Sequence, residues 1–265
     1  VFMACFGINI STGRGYQLAV LWKREIHGST YEVRSAGQTC RLYTDGVFHS
    51  QFNPRQPVGG SVWDLLMLPA FFYPRGAIRR VLVLGVGGGA VIRQLNHFLE
   101  LEQVVGVELN PIHLQVAKRF FKVDAANVSL VEDDAVAWLK AYKGPKYDLI
   151  IDDLFAEAGG QPERAVAADK AWMSLLRRHL SASGALVMNF DGRSGLRNCA
   201  YFREPAIKRQ FACAFQLTTR LYENHIGAFL RKDCMRKDLF AELATYSQLN
   251  TERKTCRLNF EVKKL

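Results

Sequence analysis

The run Val81-Leu82-Val83-Leu84 constrains the fold more than any other stretch. Four aliphatic residues without polar alternation suit a strand buried on both faces, as in a parallel sheet. Gly85, Gly87, Gly88 and Gly89 follow, and apolar residues at helical spacing continue through 91–99. A second aliphatic run, 104–107, ends in Glu108, roughly 20 residues beyond the glycines. Glycines let a ligand approach the backbone because no Cβ intrudes, and the helix after them presents free N–H groups. An acid at the tip of the second strand can accept both hydroxyls of a ribose. Together these features predict a nucleoside-binding βαβ unit. The spacing Gly-x-Gly-Gly-Gly departs from the dinucleotide pattern G-x-G-x-x-G, which favours a single nucleoside with no pyrophosphate to cradle.

Strand and helix signals alternate regularly downstream. Strands are expected at 128–131, 147–153 and 185–190, and helices at 111–121, 135–141, 164–180 and 206–211. A hairpin of 216–222 with 225–231 ends the series. Upstream, 18–26, 31–35, 39–43 and 47–52 read as short antiparallel strands, and Ser61 with Asp64 forms a capping box opening a helix. The fold class is α/β: a Rossmann-like, doubly wound, mostly parallel sheet with a small N-terminal antiparallel β region. The organisation expected is an N-terminal strand region (1–60), a nucleoside-binding catalytic domain (61–232) and a C-terminal extension (233–265). That extension carries a helix and an alternating strand at 256–262 without an assigned partner.

Composition narrows the function classes. The longest apolar runs are too short to span a bilayer, and residues 1–6 lack the basic flank and cleavage pattern of a signal peptide. The six cysteines form no C-x-x-C pair, so neither a zinc site nor a disulfide framework is encoded and no metal is expected. Reduced thiols place the chain in the cytoplasm. A net charge of +10 leaves nucleic acid open as a partner, although no basic tract is interleaved with aromatics. The same charge would repel a strongly cationic substrate over most of the surface.

The acids fall where open α/β sheets bind ligands, outside the carboxyl ends of the strands. Glu108 is the ribose ligand, with capping of the next helix as its alternative role. Asp134, or Asp133 if the register slips by one, can accept an adenine amine beside the Ala135 N–H; either can equally serve the helix dipole. Asp153 ends the fourth strand, where a carboxylate can take a proton from a nucleophile or steady a sulfonium. Asp152 points to the opposite face and is structural. Trp63, Phe155 and Trp172 are core residues first and candidate acceptor-pocket walls second.

The segments Val81–Ala90, Val107–Asn110, Glu132–Asp134 and Tyr147–Asp153 resemble the nucleotide-binding core of spermidine synthases. Thr44–Val47 and the helix at 61–68 are similar to that family's N-terminal β-domain and junction, so the likeness covers roughly 16–232. The resemblance implies a class I methyltransferase-type sheet binding decarboxylated S-adenosylmethionine, with aminopropyl transfer to putrescine. It also implies that Gly85–Gly89 and Glu108 hold the nucleoside, Asp134 the adenine, and His49 or Gln51 the donor's tail. Asp153 becomes the proton acceptor, and a homodimer is expected at family level.

Two departures matter. The family's strand-four loop carries a second acid that grips the diamine, and Ala156 stands there in this chain; Val62-Trp63 replaces the usual Tyr-Gln pair. A diammonium substrate needs carboxylates at both ends, because an unpaired buried ammonium is costly. The leading expectation is therefore a spermidine-synthase-like transferase that uses S-adenosylmethionine itself and methylates a non-diamine acceptor, which stays unidentified. The alternatives are a divergent aminopropyltransferase whose amine is held by Asp64 or Glu157, and a nucleoside-binding protein without catalysis. Methyl transfer requires a cationic or amide-rich pocket for the donor's carboxylate; aminopropyl transfer requires acids instead.

Overall fold

The computed structural model describes residues 19–158 and 161–265, and residues 157, 158, 161 and 162 by their backbone. The expectations for residues 1–18, Cys5 included, lie outside the described residues, as does the Glu157 side chain.

Four strands, β1 (Ala19–Ile26), β2 (Ser29–Ala36), β3 (Thr39–Thr44) and β4 (Val47–Phe52), form an antiparallel meander in sequence order. Helix α1 (Val62–Met67) and a 3-10 turn (Leu68–Phe72) lead into the main domain. The Ser61–Asp64 box starts α1: the Asp64 carboxylate accepts the Gly59, Gly60 and Ser61 amides, the Ser61 hydroxyl and the Gln94 amide.

Alternation then runs through β5 (Arg80–Leu84), α2 (Ala90–Phe98), β6 (Gln103–Glu108), α3 (Pro111–Arg119), β7 (Val128–Glu132), α4 (Ala135–Ala141) and β8 (Tyr147–Asp152). A short hairpin of β9 (Phe155–Ala158) and β10 (Gln161–Arg164) precedes α5 (Lys170–His179) and β11 (Leu180–Phe190). Three short helices, α6 (Arg193–Asn198), α7 (Ala200–Arg203) and α8 (Pro205–Lys208), lead to β12 (Cys213–Thr219) and β13 (Tyr222–Leu230). Helix α9 (Arg236–Ala244) and β14 (Glu261–Lys264) follow.

The eight-stranded sheet has the order β14-β12-β13-β11-β8-β5-β6-β7. Five neighbours from β11 to β7 are parallel, and β13, β12 and β14 join by antiparallel pairing. This is the doubly wound, class I methyltransferase-type arrangement. Along β5, Val81 and Val83 enter one core while Leu82 and Leu84 enter the other, so the uninterrupted aliphatic run serves both faces. Helices α1, α2, α3 and α9 cover the first face; α4 to α8 cover the second. Each fully buried aliphatic side chain contributes roughly 1.5–3 kcal/mol.

Three expectations shift. The helix expected from 164 begins at Lys170, because Asp169 is the N-cap accepting from the Trp172 amide; the β9–β10 hairpin occupies the preceding stretch. The helix expected at 206–211 is the single turn α8, which starts at Pro205 and ends at Lys208. The unassigned C-terminal strand lies at 261–264, and its partner is β12. Among the described residues no helix is long and apolar enough to cross a membrane.

Candidate active site

The chain winds from β5 outward to β6 and β7, then returns to the other side of β5 with β8. The carboxyl ends of β5 and β8 therefore flank the topological switch point, where open α/β sheets bind ligands. A cavity of about 270 Å³ opens there. Its floor is Gly85, Val86 and Gly87; one end holds Glu108, Leu109, Asp133, Asp134 and Ala135, and the other holds Asp153, Leu154, Phe155 and Asn189. The N-terminal meander roofs it through Val47 and His49, and α1 adds Val62 and Trp63. The roof is tied down by the Tyr31 hydroxyl, which accepts from the Asn110 side-chain Nδ2 at 3.0 Å, and by Thr44 Oγ1, 3.0 Å from His113 Nε2.

Gly85 adopts φ 83°, and a Cβ there would collide with the Asp153 carbonyl oxygen. The glycine thus lets the β5 turn touch the β8 turn. Gly89 also lies in the left-handed region at φ 77°, with Val123 2.6 Å from where a Cβ would stand. Gly88 faces Ser50 and Phe121. Gly85 and Gly87 line the cavity, whereas Gly88 and Gly89 let α2 close against its neighbours behind it.

Glu108 reaches back to the glycine turn. Its Oε2 accepts the Val86 and Gly87 amides at 2.9 Å, and Oε1 accepts the Asn110 amide at 2.9 Å. Oε1 still has a lone pair for a further donor. Asp134 caps α4 by accepting from the Ala137 amide at 2.8 Å, and Asp133 Oδ1 accepts the Asp134 amide. Both remain exposed at the cavity wall.

Asp153 is partly buried, and its Oδ1 accepts from Asn189 Nδ2 at 2.8 Å. Burial, reinforced by the Asp152 and Glu108 charges, pushes its carboxyl up to about 6; the Asn189 hydrogen bond and Arg164 offset part of this. Asn189 is itself braced, accepting from the Asn224 side chain at 3.0 Å and, through its backbone carbonyl, from Arg164. Asp152 is fully buried on the opposite face, where Oδ2 accepts from Arg164 at 2.7 Å and the Trp172 indole at 2.8 Å. Trp172 therefore serves Asp152 and does not wall the cavity.

The His49 and His113 rings are in contact, tilted by 51° with centroids 4.8 Å apart. Burial pulls both down to about 4, so both are neutral at pH 7 although Glu108 lies 3.8 Å from His113. Gln51 accepts from Arg41 at 2.7 Å and lies off the cavity. Asp64 is also off it, with its oxygens occupied by the α1 cap. Asn189, Arg164, His113 and Leu109 escaped the sequence reading. Asn189 had a signal, being an amide near the end of the apolar run of β11.

The four charged side chains lining the cavity, Glu108, Asp133, Asp134 and Asp153, are all acids, and no lysine or arginine joins them among the described residues. The global excess of basic residues is thus reversed locally, so repulsion of a cation does not extend into this cleft.

Comparison with known proteins agrees with this geometry. Residues 64–194 match the spermine/spermidine synthase domain. Over 130 residues the chain is 34% identical to the polyamine aminopropyltransferase of Mycobacterium tuberculosis, a match covering 46% of this chain and 24% of that protein. The chain thus spans about a quarter of that relative's length. In fold it is similar to a probable spermidine synthase from Corynebacterium glutamicum, with TM-score 0.69, 18% identity, and 93% and 91% of the two chains covered. It is likewise similar to a spermidine synthase bound to the transition state analogue AdoDATO, with TM-score 0.63, 12% identity, and 86% and 78% covered. From its glycine turn through β11, this chain is spermidine synthase-like.

Proposed function

We propose that the chain is an aminopropyltransferase, moving an aminopropyl group from decarboxylated S-adenosylmethionine to an amine. The observation that carries this reading is the all-acidic lining of the cleft. A decarboxylated donor brings a sulfonium and an ammonium, and carboxylates favour both. S-adenosylmethionine brings a carboxylate as well, which would be buried without a cation at a cost of several kcal/mol. The matched relative is named for polyamine aminopropyl transfer, which points the same way. The methyl-transfer reading expected first therefore has less support than its alternative.

In this proposal Glu108 accepts the ribose hydroxyls while holding the glycine turn in place. Asp134, with Asp133 beside it, faces the adenine amine, and the Ala135 N–H is the complementary donor. Leu109, 69% exposed at the cavity wall, offers the base an apolar platform. His49 takes the place suggested for Gln51 near the donor's tail. The bound donor supplies an electrophilic carbon next to a sulfonium. Asp153 accepts the proton that the attacking nitrogen sheds, and Asn189 fixes the orientation of its carboxylate. Proximity and alignment supply most of the rate.

Calorimetry with the two donors side by side tests the reading. Decarboxylated S-adenosylmethionine should bind at least roughly 10-fold more tightly, equivalent to about 1.4 kcal/mol. Equal affinity, or preference for the carboxylated form, would reject it.

A further inference from the structure

The cleft is chemically divided along the sheet. Toward β6 and β7 it is acidic, and three of its four carboxylates lie there. Beyond Asp153, toward β8 and β11, its walls are Leu154, Phe155, Ala156, Val166, Val62 and Trp63. On that side Asp153 and Asn189 are the polar side chains among the described residues. Asp152, next in sequence, is consumed by Arg164 and the Trp172 indole on the far face of the sheet. Asp64, on the same helix as Trp63, accepts five hydrogen bonds at the α1 cap.

We infer that the acceptor is a primary monoamine with an apolar tail, its nitrogen at Asp153 and its tail against Trp63, Phe155 and Val166. This rests on the aminopropyl-transfer reading. A diamine placed here would bury its second ammonium against aliphatic and aromatic walls, where an unpaired charge is strongly disfavoured. An alkyl or aryl tail gains from the same walls. In the reaction, the neutral amine's lone pair forms a bond to the aminopropyl carbon as the C–S bond breaks. The sulfur keeps that electron pair and leaves as the neutral thioether methylthioadenosine. The new secondary ammonium gives a proton to Asp153, which passes it to solvent.

The test uses the full chain with decarboxylated S-adenosylmethionine and, in parallel, hexylamine, benzylamine or 1,4-diaminobutane. Methylthioadenosine release and the mass of the aminopropylated amine are both read. The monoamines should exceed the diamine in kcat/KM by roughly 100-fold. Ala156→Asp, at an exposed position, should raise diamine transfer at least ~10-fold while lowering monoamine transfer; a mere fold defect would lower both. A wild-type preference for the diamine, or diamine transfer lost selectively in Glu157→Gln, would overturn the inference and leave the transferase reading standing. No release of methylthioadenosine with any of the three amines would overturn the transferase reading, and this inference with it.

Discussion

Replacing Asp153 by asparagine should cut turnover sharply and stabilise the fold, and the size of the second effect follows from the site. The carboxyl titrates at about 6 against an ordinary 3.8. That gap of roughly two units corresponds to about 3 kcal/mol of destabilisation once the group is ionised. Solvent reaching the cleft reduces the expected effect to about 1–2 kcal/mol. As pH rises from near 4 to 6, the unfolded chain releases this proton before the native one does, so wild-type stability falls; above about 6 the loss is complete. Asparagine keeps an oxygen for the Asn189 Nδ2 donor and carries no charge. The variant should therefore match wild type near pH 4 and exceed it at pH 7.5. Urea denaturation across that range reads the difference directly, as does a melting temperature about 3–6 °C higher at pH 7.5. Turnover with the decarboxylated donor should fall about 10²–10⁴-fold. A variant no more stable than wild type at pH 7.5, or one whose advantage is independent of pH, would refute the reasoning.

Glu108→Ala strands the Val86, Gly87 and Asn110 amides, so it should cost about 1–3 kcal/mol of stability. It should also weaken nucleoside binding at least ~10-fold; unchanged calorimetric affinity would remove Glu108 from the site. Gly85→Ala forces a left-handed residue against the Asp153 carbonyl and should destabilise by at least ~1–3 kcal/mol. A normal denaturation midpoint would contradict that contact. Arg164→Met leaves Asp152 charged and buried and should cost about 3–5 kcal/mol, with Asp152→Asn on the same background recovering part of it. Two equally unstable variants would show that the pair is not the source.

The parts legible in the chain were those whose cause is local. Val81–Leu84, the glycines and Glu108 declare a buried strand, a tight turn and a strand-end acid within one short window. Ser61 and Asp64 declare a cap in the same way. What stayed hidden depends on partners far away in sequence. Asn189 braces Asp153 only because β11 pairs with β8 in parallel register, and Arg164 reaches Asp152 only because the β9–β10 hairpin folds back. His49 and Gln51 share one face of β4 by alternation, yet Arg41 across the ladder takes Gln51. The glycines Gly88 and Gly89 looked equivalent to Gly85 and Gly87 in sequence, but Phe121 and Val123, distant along the chain, decide their role. Net charge misled for a related reason: it sums over the whole surface, whereas the cleft collects acids from three separate strand ends.

The opposed directions of Asp152 and Asp153 limit how this chain can vary. One acid is anchored in the far core by Arg164 and Trp172, and the other faces the cleft. A single insertion or deletion between Tyr147 and Ile151 would exchange their faces at one stroke, because strand side chains alternate with period two. A deletion would put Leu154 where Asp153 now stands and leave the cleft without its base, and an insertion would put Ile151 where Asp152 stands and leave Arg164 without its acid. Insertions in the turn between α4 and β8 carry no such penalty. Lineages derived from this chain should therefore show length variation before Tyr147 and almost none within the strand that follows it.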